Sequence, residues 1–239
     1  MRTENIIRGL RRFRYRKKYR GLQTEALGNS FLNPAGLSCS SVKTGKQAVR
    51  LSDMGLGFLI LDLSSQEIRQ AVSQVDGRNR NTLLGAEISK DFCRNFSLFY
   101  DFADFFVISP DNMEGLQSPE VPDICDILDE LISLRLCDEH YKPILLRLSP
   151  GFTPDEIRSI LDFSQLSGID GIAVSGAAKV RFVSEYTKGR VPVLGSAVGC
   201  SPAEARKLFE EGASLVETGP GLRSARKLLN TLVKQPLNA

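Results

Sequence analysis

P-I-L-L-R-L-S-P-G-F-T-P-D-E-I, residues Pro143–Ile157, holds one complete structural unit. Ile144–Leu148 is an apolar run broken only by Arg147, without alternation, which suits a strand covered on both faces, as in a parallel sheet. Pro150-Gly151 ends the run. Thr153-Pro154-Asp155-Glu156 then supplies an N-cap hydroxyl, a proline at the first helical position and a glutamate three residues after the cap. Ile157, Ile160, Leu161 and Phe163 continue at helical spacing. The stretch therefore reads strand, turn, helix. Ser201-Pro202-Ala203-Glu204 repeats the same grammar ahead of Ala205, Leu208 and Phe209.

Working outward, the same rhythm predicts strands at Asn33–Cys39, Gly57–Leu63, Thr82–Ser89, Asp104–Ser109, Pro143–Ser149, Gly171–Gly176, Val191–Ala197 and Ser214–Gly219. A longer amphipathic helix is expected over Asp123–Leu136, built on Ile124, Ile127, Leu128, Leu131 and Ile132. Glycines such as Gly55, Gly168 and Gly212 stand where helices must end before the next strand. Eight strand–helix units predict an α/β fold, a compact (β/α)8 TIM barrel over 27–239, with Asp62–Asn81 compressed. A doubly wound open sheet is the alternative, but no G-x-G-x-x-G follows the first strand. No G-x-x-x-x-G-K-[ST] is present either, so phosphate-loop chemistry has no support.

Composition narrows the function classes. The chain has 239 residues, 42% hydrophobic and 25% charged, which are globular values. Its five cysteines are scattered without C-x-x-C, so neither a zinc site nor a disulfide scaffold is expected, and a reducing cytoplasm fits. With one histidine, His140, mechanisms that need two are excluded, and no metal site is expected. The charge is uneven. Residues 1–20 carry nine Lys and Arg against one acid, and the whole chain is +3. Residues 1–26 thus read as a basic arm, on which Ile6, Leu10, Phe13 and Tyr15 form a narrow apolar stripe if it is helical. Such a helix suits an anionic membrane surface, placing the protein in the cytoplasm or peripherally on the inner membrane face. Its charge also suits nucleic-acid phosphates, the less expected partner. A frayed, solvated terminus is the plain alternative. The arm lacks the apolar core of a secretory signal.

In a barrel, function gathers at the carboxyl ends of the strands. That rule selects Ser38, Cys39 and Lys43 after the first strand, Glu87 on the third, Ser109 and Asn112 at the fourth, and Arg147 on the fifth. It adds Ser175, Gly195, Ser196, Gly219 and Gly221 from the last three. Glycine-rich loops after the seventh and eighth strands can present backbone N–H groups to a phosphate, although turn geometry explains the same glycines equally well. Arg147, a cation inside L-L-R-L, requires a partner or a pocket. His140 is expected at the surface.

Seven segments, in order, resemble the dihydroorotate dehydrogenases, most closely the quinone-linked, membrane-associated class. They are L-G-N-S-F-L-N-P-A-G-L-S-C (Leu27–Cys39), S-S-V-K-T-G (Ser40–Gly45), D-F-A-D-F-F-V-I-S-P (Asp101–Pro110), Pro143–Ile157, G-I-D-G-I-A-V-S-G (Gly168–Gly176), V-P-V-L-G-S (Val191–Ser196) and E-G-A-S-L-V-E-T-G-P-G-L (Glu211–Leu222). The resemblance implies an FMN-dependent oxidoreductase of pyrimidine biosynthesis, with dihydroorotate or a related small molecule as substrate. Ser109 would be the catalytic base, Lys43 would approach flavin and substrate, and Arg147 would stand where a lysine stabilises the reduced ring. Ser38, Cys39, Glu87, Ser175, Gly195, Ser196, Gly219 and Gly221 would line the cofactor, and Asn112 would contact substrate with Lys43.

The chain also departs from that pattern. Ser38-Cys39-Ser40 stands for Ala-Ala-Gly, Glu87 for a flavin-contacting asparagine, Ser175-Gly176 for Thr-Asn, Ala197-Val198 for Gly-Gly, and Gly219-Pro220 for Tyr-Ser. The asparagine-rich loop after the second strand and the lid after the sixth have no counterpart. Three expectations follow: a divergent flavin oxidoreductase, a catalytically inactive barrel acting as a binding or regulatory protein, or a membrane- or nucleic-acid-associated module working through its basic arm.

Overall fold

The structure is a computed structural model that describes residues 2–73, 81–110, 121–199, 201–219 and 221–234. Side chains are described from Ile7 on, apart from those of 121–122 and 164–167 within their helices. Eight parallel strands close into a barrel: β3 (Ala35–Leu37), β4 (Phe58–Leu61), β5 (Leu83–Ile88), β6 (Phe105–Ile108), β7 (Ile144–Arg147), β8 (Gly171–Ser175), β9 (Val193–Val198) and β10 (Leu215–Gly219). Each follows its predecessor, and β10 pairs with β3 to complete the ring. Every strand falls inside the run predicted for it or within one residue of it. Helices α2 (Gly45–Ser52), α3 (Gln66–Ser73), α4 (Phe92–Phe99), α5 (Val121–Leu136), α6 (Pro154–Ser167), α7 (Ala177–Thr187), α8 (Pro202–Glu210) and α9 (Leu222–Lys234) follow their strands around the outside.

The punctuation works as its chemistry requires. Thr153 and Ser201 each accept a hydrogen bond from the backbone N–H three residues on, and Glu156 and Glu204 accept one back from the cap residue's N–H. Two orphan donors per helix start are thereby satisfied.

The core has two parts, as a barrel with a filled interior must. Most apolar side chains pack between strands and helices. A second, smaller cluster fills the lumen: Phe58 and Ile60 of β4, Phe105 and Val107 of β6, Leu145 of β7, Ala173 of β8, Leu194 of β9 and Leu215 of β10. Alternation along each strand puts residues i and i+2 on the same side. The lumen floor is a trio of rings, Phe31, Phe58 and Phe105, meeting edge-on with centroids 6.0–6.2 Å apart. Gly36 makes room for it, since a Cβ there would lie 2.4 Å from the Phe58 ring.

Phe31 comes from an antiparallel hairpin that the sequence reading does not separate from the first barrel strand. It comprises β1 (Thr24–Ala26) and β2 (Asn29–Phe31), turning at Leu27-Gly28 with φ of 53° and 66°. Positive φ at both central residues matches the twist of the flanking strands. The hairpin plugs the amino end of the barrel with Ala26, Leu27 and Phe31.

The arm forms α1 (Arg2–Lys18), which lies across that same amino end. Arg8 Nε and Arg12 Nε reach the two oxygens of buried Asp53, at 2.5 and 2.8 Å, just after α2. Tyr15 packs on Gly55 and stacks on Tyr19, and Tyr19 is fully buried in the main core. The apolar stripe proposed from the sequence is therefore divided. Tyr15 turns inward, whereas Leu10 and Phe13 stay 66% and 69% exposed, joined by Ile7 at 50%. The Ile6 side chain lies outside the described residues. The helix docks by its arginine and tyrosine face because Asp53 offers a buried carboxylate that only a cation satisfies.

Candidate functional site at the barrel mouth

The uppermost inward positions of four strands carry polar groups where the lumen below is apolar. Glu87 follows Leu83 and Gly85 on β5. Ser109 follows Val107 at the end of β6. Arg147 follows Leu145 on β7, and Glu217 follows Leu215 on β10. These four side chains meet. Arg147 Nη1 and Nη2 donate to Glu217 Oε1 and Oε2 at 2.6 and 3.2 Å, a fork-on-fork pair. Arg147 Nε lies 3.0 Å from Glu87 Oε1 and 3.1 Å from Ser109 Oγ. Ser109 Oγ donates to Glu87 Oε1 at 2.7 Å.

All three guanidinium nitrogens are thus engaged within the protein. Glu217 is 1% exposed and Ser109 is 5% exposed. Burial alone lowers the Arg147 pKa, but the Glu217 and Glu87 carboxylates outweigh it and the net shift is upward. Two carboxylates face one guanidinium, so the cluster carries one net negative charge. Cys39 extends it: burial, then the Glu87 charge and hydrogen bond, push its thiol up to about 12. At neutral pH this cysteine is a protonated thiol and not a nucleophile.

The other residues selected from the sequence fall into groups. Lys43 is exposed on the loop after β3, where its backbone N–H donates to Gln47 Oε1 at 2.8 Å. Ser38 is buried and exchanges a hydrogen bond with Ser40 at 2.9 Å. Ser175 is exposed at the tip of β8, in register with half-buried Ser196 on β9, which pairs in turn with Glu217. Gly195 faces outward: a Cβ there would meet Leu208 at 3.1 Å, so its role is close packing of α8 on the sheet. Gly219 is hemmed in, with Ser38 Oγ and Val198 Cγ1 each 3.1 Å from where its Cβ would be. Gly221, at φ 93°, leads into α9 with open space around it. Asn112 lies outside the described residues.

Glu217 is the residue sequence reasoning missed. A signal exists: a carboxylate inside the buried run L-V-E-T is as conspicuous as the guanidinium inside L-L-R-L, and each needs the other.

Barrel and mouth together define a (β/α)8 protein with a polar cluster where enzymes of this fold work. A scan against protein-family models finds no match. Among curated proteins, the chain is 22% identical to the quinone-linked dihydroorotate dehydrogenase of Christiangramia forsetii, over 84% of this chain and 79% of that one. It is 22% identical to the enzyme of that name from a Shewanella species, over 92% and 88%. Among solved structures, the ligand-free dihydroorotate dehydrogenase of Eimeria tenella superposes with a TM-score of 0.74 at 18% identity, covering 90% of this chain and 88% of that one. An aldolase, QR15, superposes with a TM-score of 0.62. In sequence the chain is thus similar, at low identity, to quinone-linked dihydroorotate dehydrogenases.

The described mouth is a poor match for FMN. An anionic flavin ring needs a cation with a free edge, and Arg147 is clamped by Glu217 with Glu87 beside it. A flavin phosphate needs open backbone N–H groups after β9 and β10. There Val198 and Ser38 crowd Gly219, and Ser201 and Glu204 already cap the start of α8, which leaves Gly199 and Gly221 as the open positions.

Proposed function

We propose that this chain is a dihydroorotate dehydrogenase-type barrel that does not carry flavin and acts as a binding protein. The observation behind this reading is the commitment of Arg147. Charge development on a flavin or on an anionic substrate would meet a cluster that is already net negative. On this reading Ser109, Lys43 and Arg147 have no redox role. The test is an absorbance scan of the purified protein across the flavin bands, followed by thermal unfolding with and without FMN. A ligand that binds only the native state raises its stability. Colourless protein whose Tm ignores FMN is expected. Yellow protein, or a rise in Tm, sinks the reading.

A specific contact favours the oxidoreductase as the second reading. Ser109 Oγ both donates to Glu87 and accepts from Arg147, an arrangement able to pass a proton to a carboxylate while a cation steadies the oxygen left behind. On that reading Ser109→Ala slows flavin reduction far more than it weakens flavin retention.

The partner we propose is an anionic membrane surface, met by α1. Among the described residues no helix is long and apolar enough to cross a membrane. The exposed Ile7, Leu10 and Phe13 nevertheless lie on the outward face among bases such as Arg14 and Lys17. Basic residues near such a surface are worth about 1 kcal/mol each and the apolar side chains insert.

A further inference from the structure

We propose that Glu217 decides what the mouth accepts. By clamping Arg147 it withholds that guanidinium from incoming anions, so the Glu87–Ser109–Arg147–Glu217 cluster closes the barrel as a built-in stand-in for a carboxylate ligand. The proposal rests on the flavin-free reading and adds the residue responsible.

The geometry makes Glu217 the gatekeeper. Its carboxylate meets both terminal nitrogens of Arg147, the approach a free planar carboxylate would take. It projects from β10, which is hydrogen-bonded to β3 on one side and β9 on the other, and at 1% exposure it cannot swing into water. Glu87 holds Arg147 from the opposite side through Nε, sharing Oε1 with Ser109. The guanidinium is thereby aimed, with its outer edge toward β10. Removing the Glu217 carboxylate leaves one carboxylate against one guanidinium, a neutral cluster with a carboxylate-shaped space facing a fixed cation. A small planar carboxylate is the chemical class that fits it.

The experiment is chemical rescue. Glu217→Ala should lose thermal stability in chloride and recover about 5 °C or more in acetate at the same ionic strength. Wild type should not respond, and Arg147→Met/Glu217→Ala should not respond either, because the cation acetate would meet is gone. A folded Glu217→Ala indifferent to acetate overturns the proposal. Should that variant fail to fold, Glu217→Ser opens the same space and leaves a hydroxyl, not a methyl, at its edge. It should bind orotate, a planar carboxylate, at least about tenfold more tightly than wild type, and equal affinity overturns the proposal. Yellow or FMN-binding wild type sinks the underlying reading. Colourless wild type with unresponsive variants sinks only the assignment to Glu217.

Discussion

The two ends of the barrel are closed by opposite means. At the amino end, Phe31 of the hairpin drops onto Phe58 and Phe105, and closure is apolar. At the carboxyl end, Arg147 reaches across from β7 to Glu217 on β10, and closure is ionic. An apolar plug contributes in proportion to area and fit, and a smaller side chain weakens it by degrees. An ionic plug is conditional. It holds while every charge has its partner, and one deletion leaves a buried charge uncompensated. The amino end therefore looks built for permanence, and the carboxyl end has a composition that a single substitution can redirect.

That contrast can be broken or sharpened in four ways. The largest effect is expected from Arg147→Met, which strands Glu87 and Glu217 together. It should cost about 3–5 kcal/mol in denaturant unfolding, whereas replacing Arg147 and Glu217 together by methionines should cost far less. A double variant as unstable as the single one would show that the pair is not the unit. Phe31→Ala opens a cavity in the floor and should cost about 3–5 kcal/mol, without the recovery by a partner change that the mouth allows. Asp53→Ala releases both Arg8 and Arg12 and should cost about 1–3 kcal/mol. Trypsin should then cut within 2–18 faster than in wild type, and unchanged cutting would mean that the tyrosines and the bonds to Asn81 and Asn230 hold α1 without Asp53.

The smallest effect on stability belongs to Phe13→Asp. The side chain is exposed, so unfolding should shift by no more than about 0.5 kcal/mol. Sedimentation with vesicles of mixed phosphatidylcholine and phosphatidylglycerol should nevertheless be lost, as it should for wild type at high salt. Persistent sedimentation of this variant would remove the apolar face from the lipid reading.

Acid should reveal the caps independently of either plug. Hydrogen bonds from the Thr153 hydroxyl and backbone lower the Glu156 pKa, and those from the Ser201 backbone and hydroxyl lower that of Glu204. A depressed carboxylate pKa means stability that is complete above the ordinary value of 4.5 and lost as pH falls through the lowered one. Glu156→Gln/Glu204→Gln should narrow that acid-dependent loss, and an identical pH profile would mean the bonds do not persist in solution.

What the sequence made legible was whatever is encoded locally. Strands buried on both faces write themselves as unbroken runs such as Ile144–Leu146. A capping box is four residues long, and Thr153 and Ser201 announce both of theirs. The barrel rule puts Glu87, Ser109 and Arg147 at one end from their places on the strands alone. Pairing at a distance was not legible. Arg147 and Glu217 lie seventy residues apart, and each alone signals only that some partner exists. The hairpin was obscured because Asn29–Phe31 and Ala35–Leu37 are separated by so few residues that they read as one stretch. The stripe on the arm was misdrawn for a related reason: helical spacing identifies a face, but only Asp53 and Gly55 decide which face turns inward.

The position of α1 has a consequence for traffic. It sits on the segment around Asp53 and Gly55, at the end of the barrel remote from Arg147, and the lumen between is filled with phenyl and aliphatic side chains. A molecule resting by that helix on a bilayer would hold its mouth up toward the solution. Whatever reaches Arg147 must then arrive from water, and a carrier dissolved in the lipid would find only the sealed underside.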